Sequence, residues 1–504
     1  MRKLYDILFL AVCVAVVGCS CSKPAGEEGG NGSDGLYIEA DVTEKAVNNE
    51  EGSFEVNISS NISWTAIPQA DWLTVSPTVG SGDQTVTITY ESNYADGSAA
   101  SGPDREGAVL FKGEGAEPLK IIVKQTRTFK NPIFQPLPDP YSWRQDNGSE
   151  VIYYLCKAQG NNINLGKSSL MTVPGGTKSV WSLPKTPGAW NRANLWAPEL
   201  HYVRGAWYVY YAAGWPSDES KADPYFNSQY GSQRTGVIRC QTTDPYSGTW
   251  EDMGQIFTSD EEDLAIYQET GVVDTKHNNY AIDMTVFELN DQLYAVWSGQ
   301  PTQEDGSQRL YIATMENPYT INSARVEISR AEMAWEKANS SINEGPAMLF
   351  NPDRTKLFCV YSCNGSWTND YRLGWLELDL TNPATSDPMN PDNWTKSSNY
   401  VFWRNDDGPY KADNPNPDDI HNEANMHIGG VHGTGHNTFL KSPDGTEDWI
   451  MYHTQRYTDS GWSYRDCFIQ KFTWDENGRP VFGKPVGWQE EIAVPSGEPL
   501  TNKY

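Results

Sequence analysis

One strand pattern recurs five times along the chain, and it constrains the fold more than any other feature of the sequence. The copies are Val151–Leu155, Trp207–Tyr211, Leu293–Trp297, Leu357–Tyr361 and Trp449–His453, each rich in aromatic and β-branched residues. Their starts lie 56, 86, 64 and 92 residues apart. Turn signals precede several of them, among them Arg204-Gly205, Asn290-Asp291 and Pro443-Asp444-Gly445, as hairpins require. A four-stranded propeller blade takes about 40–50 residues, so each interval holds one blade and a loop. Five copies of one strand predict a five-bladed β-propeller over residues 128–504, an all-β fold with no long amphipathic helix. A pair of β-sandwiches is the competing architecture, but it does not demand a fivefold repeat.

Residues 36–127 form a separate block. Phe54, Val56 and Ile58 alternate with polar residues, as do Val86, Ile88 and Tyr90, and Trp64 and Trp72 add core bulk. About seven short strands in so short a block predict a small immunoglobulin-like β-sandwich. Ser63-Trp64, the run Asp71-Trp72-Leu73-Thr74-Val75-Ser76-Pro77, Gly80, Arg105 and Val123-Lys124-Gln125-Thr126 resemble the BACON domain. That resemblance implies either carbohydrate binding or a spacer that holds a second domain off a membrane.

The first 35 residues read as targeting and tether. Arg2 and Lys3 precede the apolar Ile7–Val17, and Val16-Val17-Gly18-Cys19 has the form of a bacterial lipoprotein cleavage site, with Cys19 as the lipidated residue. Residues 1–18 are then a signal peptide, and the Gly-, Glu- and Ser-rich residues 19–35 a flexible tether. Ser20 after the anchor points to an outer-membrane lipoprotein, on the cell surface or the periplasmic face. The cysteines downstream show no metal-ligand spacing. A net charge of −28, from 66 acidic and 38 basic residues, argues against nucleic acid as a partner and favours a neutral substrate. The 19 Trp and 27 Tyr suit the apolar faces of sugar rings, although most must be core residues.

Three acidic residues stand in unusual settings. Asp139 lies in Leu137-Pro138-Asp139-Pro140, Asp283 in the apolar run Ala281-Ile282-Asp283-Met284-Thr285-Val286-Phe287, and Glu344 in Ile342-Asn343-Glu344-Gly345-Pro346. Each precedes one of the repeated strands by about 10–14 residues. Equivalent positions on successive blades converge on the axis, because innermost strands line the channel. Like charges in an apolar pocket raise one another's pKa, the condition that glycoside hydrolysis uses to keep one carboxyl protonated and another ionised.

Residues 128–500 resemble glycoside hydrolase family 43, five-bladed propellers that invert the anomeric centre. The resemblance rests on Asn131-Pro132-Ile133 with Asp139-Pro140, Trp196-Ala197-Pro198-Glu199-Leu200, the segment around Asp283, and Asn343-Glu344-Gly345-Pro346. Gly433-Thr434-Gly435-His436-Asn437, Ser442-Pro443-Asp444-Gly445 and Tyr452-His453 complete it. It implies that Asp139 is the general base, Glu344 the general acid, and Asp283 an ionised residue that tunes and orients the acid. Inversion places acid and base about 6.5–9.5 Å apart, with room for a water. His436 resembles a channel histidine that contacts substrate or a calcium or sodium ion, whereas His453 reads as structural and Glu199 as a brace. Trp196, Trp143 and Trp367 are candidate stacking platforms. The acidic run Ser259–Glu269 lacks the spacing of a calcium loop and reads as a solvated loop.

These features together predict an exo-acting hydrolase that removes terminal sugars, foremost α-L-arabinofuranose, from polysaccharide side chains without a required cofactor. A β-xylosidase or galactofuranosidase of the same family, or a non-catalytic glycan-binding lipoprotein, are the alternatives.

Overall fold

The computed structural model describes residues 35–95, 98–226, 228–405, 430–456 and 461–504. The expected signal peptide, Cys19 and nearly all of the tether lie outside the described residues.

Two sheets face each other in the N-terminal block. Ile38–Ala40, Gly52–Ser60, Gln84–Tyr90 and Leu73–Ser76 form one, in that order. Glu44–Val47, Leu119–Gln125, Arg105–Lys112, Ser63–Pro68 and Val79–Ser81 form the other. The predicted alternation points inward, with Val56, Ile58, Val86 and Ile88 buried between the sheets against Trp64, Phe111 and Val123. Trp64 meets Phe111 edge-on at 5.5 Å, and its indole N–H donates to the Gly82 carbonyl at 3.2 Å.

Five further sheets make the propeller. Their first strands are Tyr141–Asp146, Ala193–Val203, Ala281–Leu289, Asn343–Phe350 and Val431–Lys441. These strands touch in a ring, with the first meeting the fifth. The second strands are Val151–Gln159, Ala206–Gly214, Gln292–Gly299, Lys356–Cys363 and Asp448–Arg456, and they carry the five predicted repeats. Their aromatic richness has a simple cause, since each second strand is buried on both faces. Trp207, Val209 and Tyr211 pack towards the first blade, while Tyr208 and Tyr210 pack towards the third. Phe358 and Val360 likewise face the fifth blade while Leu357, Cys359 and Tyr361 face the third. An apolar core thus fills each of the five blade interfaces.

The segment before the first blade closes the ring by pairing with the last. Ile133 N–H donates to the Cys467 carbonyl at 2.9 Å, and Cys467 N–H donates to Phe134 at 3.0 Å. Asn131, fully buried, spans Ile469 with two side-chain bonds: it donates to the carbonyl at 2.8 Å and accepts from the N–H at 3.0 Å. Thr128–Lys130 pairs antiparallel with Glu491–Ala493, so the C-terminal segment is joined to the junction between the two domains.

The acidic run expected as a solvated loop is instead a helix, Glu261–Thr270. Glu261, Glu262 and Asp263 occupy its first turn, where the helix dipole favours negative charge, and Gly271 ends it in the left-handed conformation at φ 67°. Leu264 is buried and Tyr267 stacks on Phe257 at 5.1 Å. Cys156, Cys240, Cys359, Cys363 and Cys467 are buried free thiols.

Replacing Asn131 by Ala leaves a backbone donor and acceptor of Ile469 unpaired inside the closure. Urea unfolding is expected to register a loss of about 2–4 kcal/mol. An unchanged midpoint would show that the closure does not depend on this side chain.

Candidate active site

Every innermost strand, or the turn that enters it, carries at least one residue in the left-handed region. They are Asp139 (φ 50°), Ala197 (φ 41°), Asp283 (φ 56°), Gly345 (φ 54°) and His436 (φ 47°), with Asn194 (φ 55°) and Gly433 (φ 63°) as second ones in the second and fifth blades. In blades two to five the ladder to the second strand slips across this residue, between Trp196 and Glu199, Ile282 and Thr285, Glu344 and Ala347, and Gly435 and Thr438. A bulge of this kind re-aims a side chain and breaks the two-residue alternation. Non-glycine residues held there carry roughly 1–3 kcal/mol of strain, and Asp tolerates the region better than most.

The bulges gather Asp139, Asp283 and Glu344 at one end of the channel. The Asp139 side chain is 19% exposed. Arg465, just before the third strand of the last blade, donates to its Oδ1 at 2.8 Å. His436 Nδ1 lies 3.3 Å from the same oxygen. The backbone N–H of Asp139 donates to His453 Nδ1 at 3.2 Å. Asp283 and Glu344 are buried. Asp283 Oδ2 accepts the Gly345 N–H at 3.1 Å, and Glu344 Oε1 accepts the Tyr371 phenol at 2.9 Å.

The environments split the three carboxylates. Burial alone would raise Asp139, but the Arg465 guanidinium, with His436 beside it, outweighs it and holds this carboxyl below its usual range. Burial drives Glu344 up to about 7, with Asp139 adding to the rise and the Tyr371 hydrogen bond opposing it. Burial likewise raises Asp283 to about 7, opposed by His436 and reinforced by Glu344 and Asp139. Burial therefore pushes both Asp283 and Glu344 up, whereas Asp139 is held down. Burial and the Arg465 charge hold His453 neutral, which leaves its Nδ1 free to accept from Asp139 and places its proton on Nε2.

The remaining sequence candidates fall into two groups. Trp196 is half-buried with its ring edge-on to Tyr230 at 4.9 Å, and it packs against Tyr280 and Ile282 beside Asp283. Trp367 is 41% exposed on the loop that leaves the second strand of the fourth blade at the Glu344 end, edge-on to Trp462 at 5.5 Å. Trp143 does not join them. Its strand runs away from Asp139, and four residues at about 3.3 Å each carry it deep along the channel. There it packs on His201 and Trp207 and lines a cavity of about 620 Å³ with Arg144, Phe350, Lys441 and Trp474. Glu199 and His201 form a buried pair at 2.9 Å between the two ends.

Among the described residues no group of three or more His, Cys, Asp or Glu side chains is placed to hold a metal ion. His436 Nδ1 faces Asp139 instead. Arg465, Tyr371 and Trp462 escaped the sequence reading, and His453, read as structural, touches Asp139. No local motif marks Arg465 or Tyr371; only the closed ring brings them to the carboxylates.

A closed five-bladed propeller with three carboxylates buried at one mouth defines a class of sugar-cleaving scaffold. The chain belongs to glycosyl hydrolases family 43, whose profile matches residues 129–480, and residues 38–122 match the viral BACON domain. Over 371 residues it is 30% identical to an extracellular exo-α-(1→5)-L-arabinofuranosidase of Streptomyces avermitilis, covering 71% of this chain and 64% of that one. An α-L-arabinofuranosidase B of Pyricularia oryzae is 29% identical, with 75% and 67% covered. The crystal structure of an α-L-arabinofuranosidase from Lactobacillus brevis superposes with a TM-score of 0.56 at 28% identity, covering 72% of this chain and 98% of that one. The chain thus spans 64% of the length of the Streptomyces avermitilis relative.

A raised pKa for Glu344 means that its protonated form supports the fold at low pH, and that this support fades as pH rises through about 7. Glu344→Gln, which stays neutral, is expected to raise the melting temperature at pH 8 by more than at pH 5. Equal shifts at both would show that Glu344 titrates normally.

Proposed function

We propose that this chain is an inverting exo-α-L-arabinofuranosidase that trims polysaccharide side chains. One observation carries the reading: a single mouth sets the Arg465 guanidinium 2.8 Å from Asp139 and buries Glu344 under the Tyr371 phenol, which pushes the first carboxyl down and the second up. That is the division of labour that inverting hydrolysis requires. Glu344 gives its proton to the glycosidic oxygen as the bond to the anomeric carbon breaks. Asp139 takes a proton from a water whose oxygen bonds to that carbon from the opposite face. Asp283, accepting the Gly345 N–H next to Glu344, fixes the backbone at the acid, and its charge raises the acid's hold on its proton.

The exo preference draws support from the loops. The long connections 215–233 and 256–280 link strands at the end of the propeller where the carboxylates lie. Arabinofuranose draws support from the relatives named above. Trp196 and Trp367 are the stacking platforms that remain at this end. The N-terminal sandwich serves as a spacer, and Cys19 anchors the protein in the outer membrane, a reading supported by Val16-Val17-Gly18-Cys19. Labelled palmitate is expected to enter the parent and not Cys19→Ala.

The parent chain without residues 1–34 is expected to release arabinose from nitrophenyl α-L-arabinofuranoside and arabinan, with the first-formed anomer inverted by proton NMR. Glu344→Gln is expected to lose about 10²–10⁴-fold in kcat on arabinan while staying folded. Exhaustive chelation is expected to leave the parent rate unchanged. Release from nitrophenyl β-D-xyloside alone would move the substrate class. Silence on every substrate, with polysaccharide still bound, would replace hydrolysis by docking.

A further inference from the structure

Tyr371 is fully buried, and burial with the nearby Glu344 raises its phenol well above the ordinary value, so it remains a donor at every working pH. Its hydroxyl donates to Glu344 Oε1 at 2.9 Å. Its ring stacks on His453 with centroids 5.3 Å apart and planes 8° from parallel. His453 in turn accepts the Asp139 N–H. One aromatic ring therefore bridges the two proposed proton-handling carboxylates. A slot is built for it. The Tyr371 ring lies so close to Gly435 that a Cβ there would collide with it. Ser362, the cross-strand partner of Glu344, stands against the phenol and accepts the His436 N–H at 2.7 Å. The second glycine of Gly433-Thr434-Gly435-His436 thus has a packing reason.

We propose that Tyr371 is a positioning residue for the acid: by occupying Oε1 of Glu344 it leaves the transferable proton on Oε2 and fixes the carboxyl plane against the leaving group. The inference deepens the function proposed above and rests on Glu344 being the acid. Without the phenol the carboxyl keeps its proton but loses the constraint on which oxygen bears it and where that oxygen points. The cost then falls on proton delivery, not on sugar binding.

The charged groups acting on Glu344 are Asp139 at the entry to the first blade, Asp283 on the third and Arg465 from the fifth, with the His436 ring against Gly345 next to it. Tyr280, ahead of the third blade, completes the set. Tyr371→Phe removes none of these charges. It removes one hydrogen bond that favours the ionised carboxylate, so Glu344 holds its proton to higher pH.

The experiment compares Tyr371→Phe with the parent on a methyl α-L-arabinofuranoside, whose leaving group needs a proton, and on the nitrophenyl glycoside, whose leaving group scarcely does. The variant is expected to lose about tenfold or more in kcat on the methyl glycoside. The nitrophenyl substrate is expected to change by less than about threefold, and KM by about as little, since neither depends on proton delivery. The basic limb of kcat/KM is expected to move to higher pH. Site-specific 3-fluorotyrosine at 371, a stronger donor of the same shape, is expected to move that limb to lower pH, and this arm stands even if the Phe variant folds poorly. Equal losses on both glycosides, or a basic limb that stays put in both variants, would overturn the positioning role. If Glu344→Gln is crippled while Tyr371→Phe matches the parent throughout, the acid stands and the positioning role alone falls. A fully active Glu344→Gln would overturn the acid itself.

Discussion

Burying three carboxylates around one axis is costly, because each loses its water and each repels the others. The cost is met unevenly. Asp139 receives a guanidinium from Arg465 in direct contact and two imidazoles nearby, while Asp283 hydrogen-bonds to a backbone N–H and Glu344 to a phenol. The outcome is a charge gradient across one mouth, an ionised carboxylate on one side and a proton held on the other. Catalytic sites need this kind of separation, and here burial and the Arg465 cation produce it.

The scaffold explains how such groups reach the axis. Each second strand is largely apolar because it feeds the cores on either side, so the carboxylates come from the innermost strands and the turns that enter them, and the second strands add only polar groups at their mouth ends, such as His453 and Ser362. A strand in regular alternation would commit every other side chain to a neighbouring blade. Left-handed residues in blades two to five interrupt that alternation and another precedes the first strand; in three blades such a residue is, or adjoins, a proposed site carboxylate: Asp139, Asp283 and Gly345 after Glu344. The strain stored in these bulges is held by the closed ring, which Asn131 helps lock to Ile469.

Much of this was legible in the sequence. The five aromatic strands announced five blades because burial on both faces leaves a run with no polar side. The carboxylates stood out because an Asp within Ile-Asp-Met-Thr-Val has no surface to face. Arg465 and Tyr371 were not legible. They lie at the mouth ends of third strands, 326 and 27 residues from the carboxylates they bind, and nothing local marks their contacts. Trp143 misled for the opposite reason: it follows Asp139 closely in the chain, but its strand descends the channel, so proximity in sequence became distance along the axis. The helix Glu261–Thr270 was missed because its acidic first turn reads as solvated, although those charges sit where the helix dipole favours them.

The most direct test of the account is the pH dependence of kcat/KM for the parent and for Arg465→Met. Arg465 is the cation that keeps Asp139 ionised, so its loss should raise the Asp139 pKa. The acid limb of the profile should then move to higher pH by about 1–3 units while the basic limb, set by Glu344, moves much less. An acid limb that stays where it was would contradict the charge gradient on which the mechanism rests.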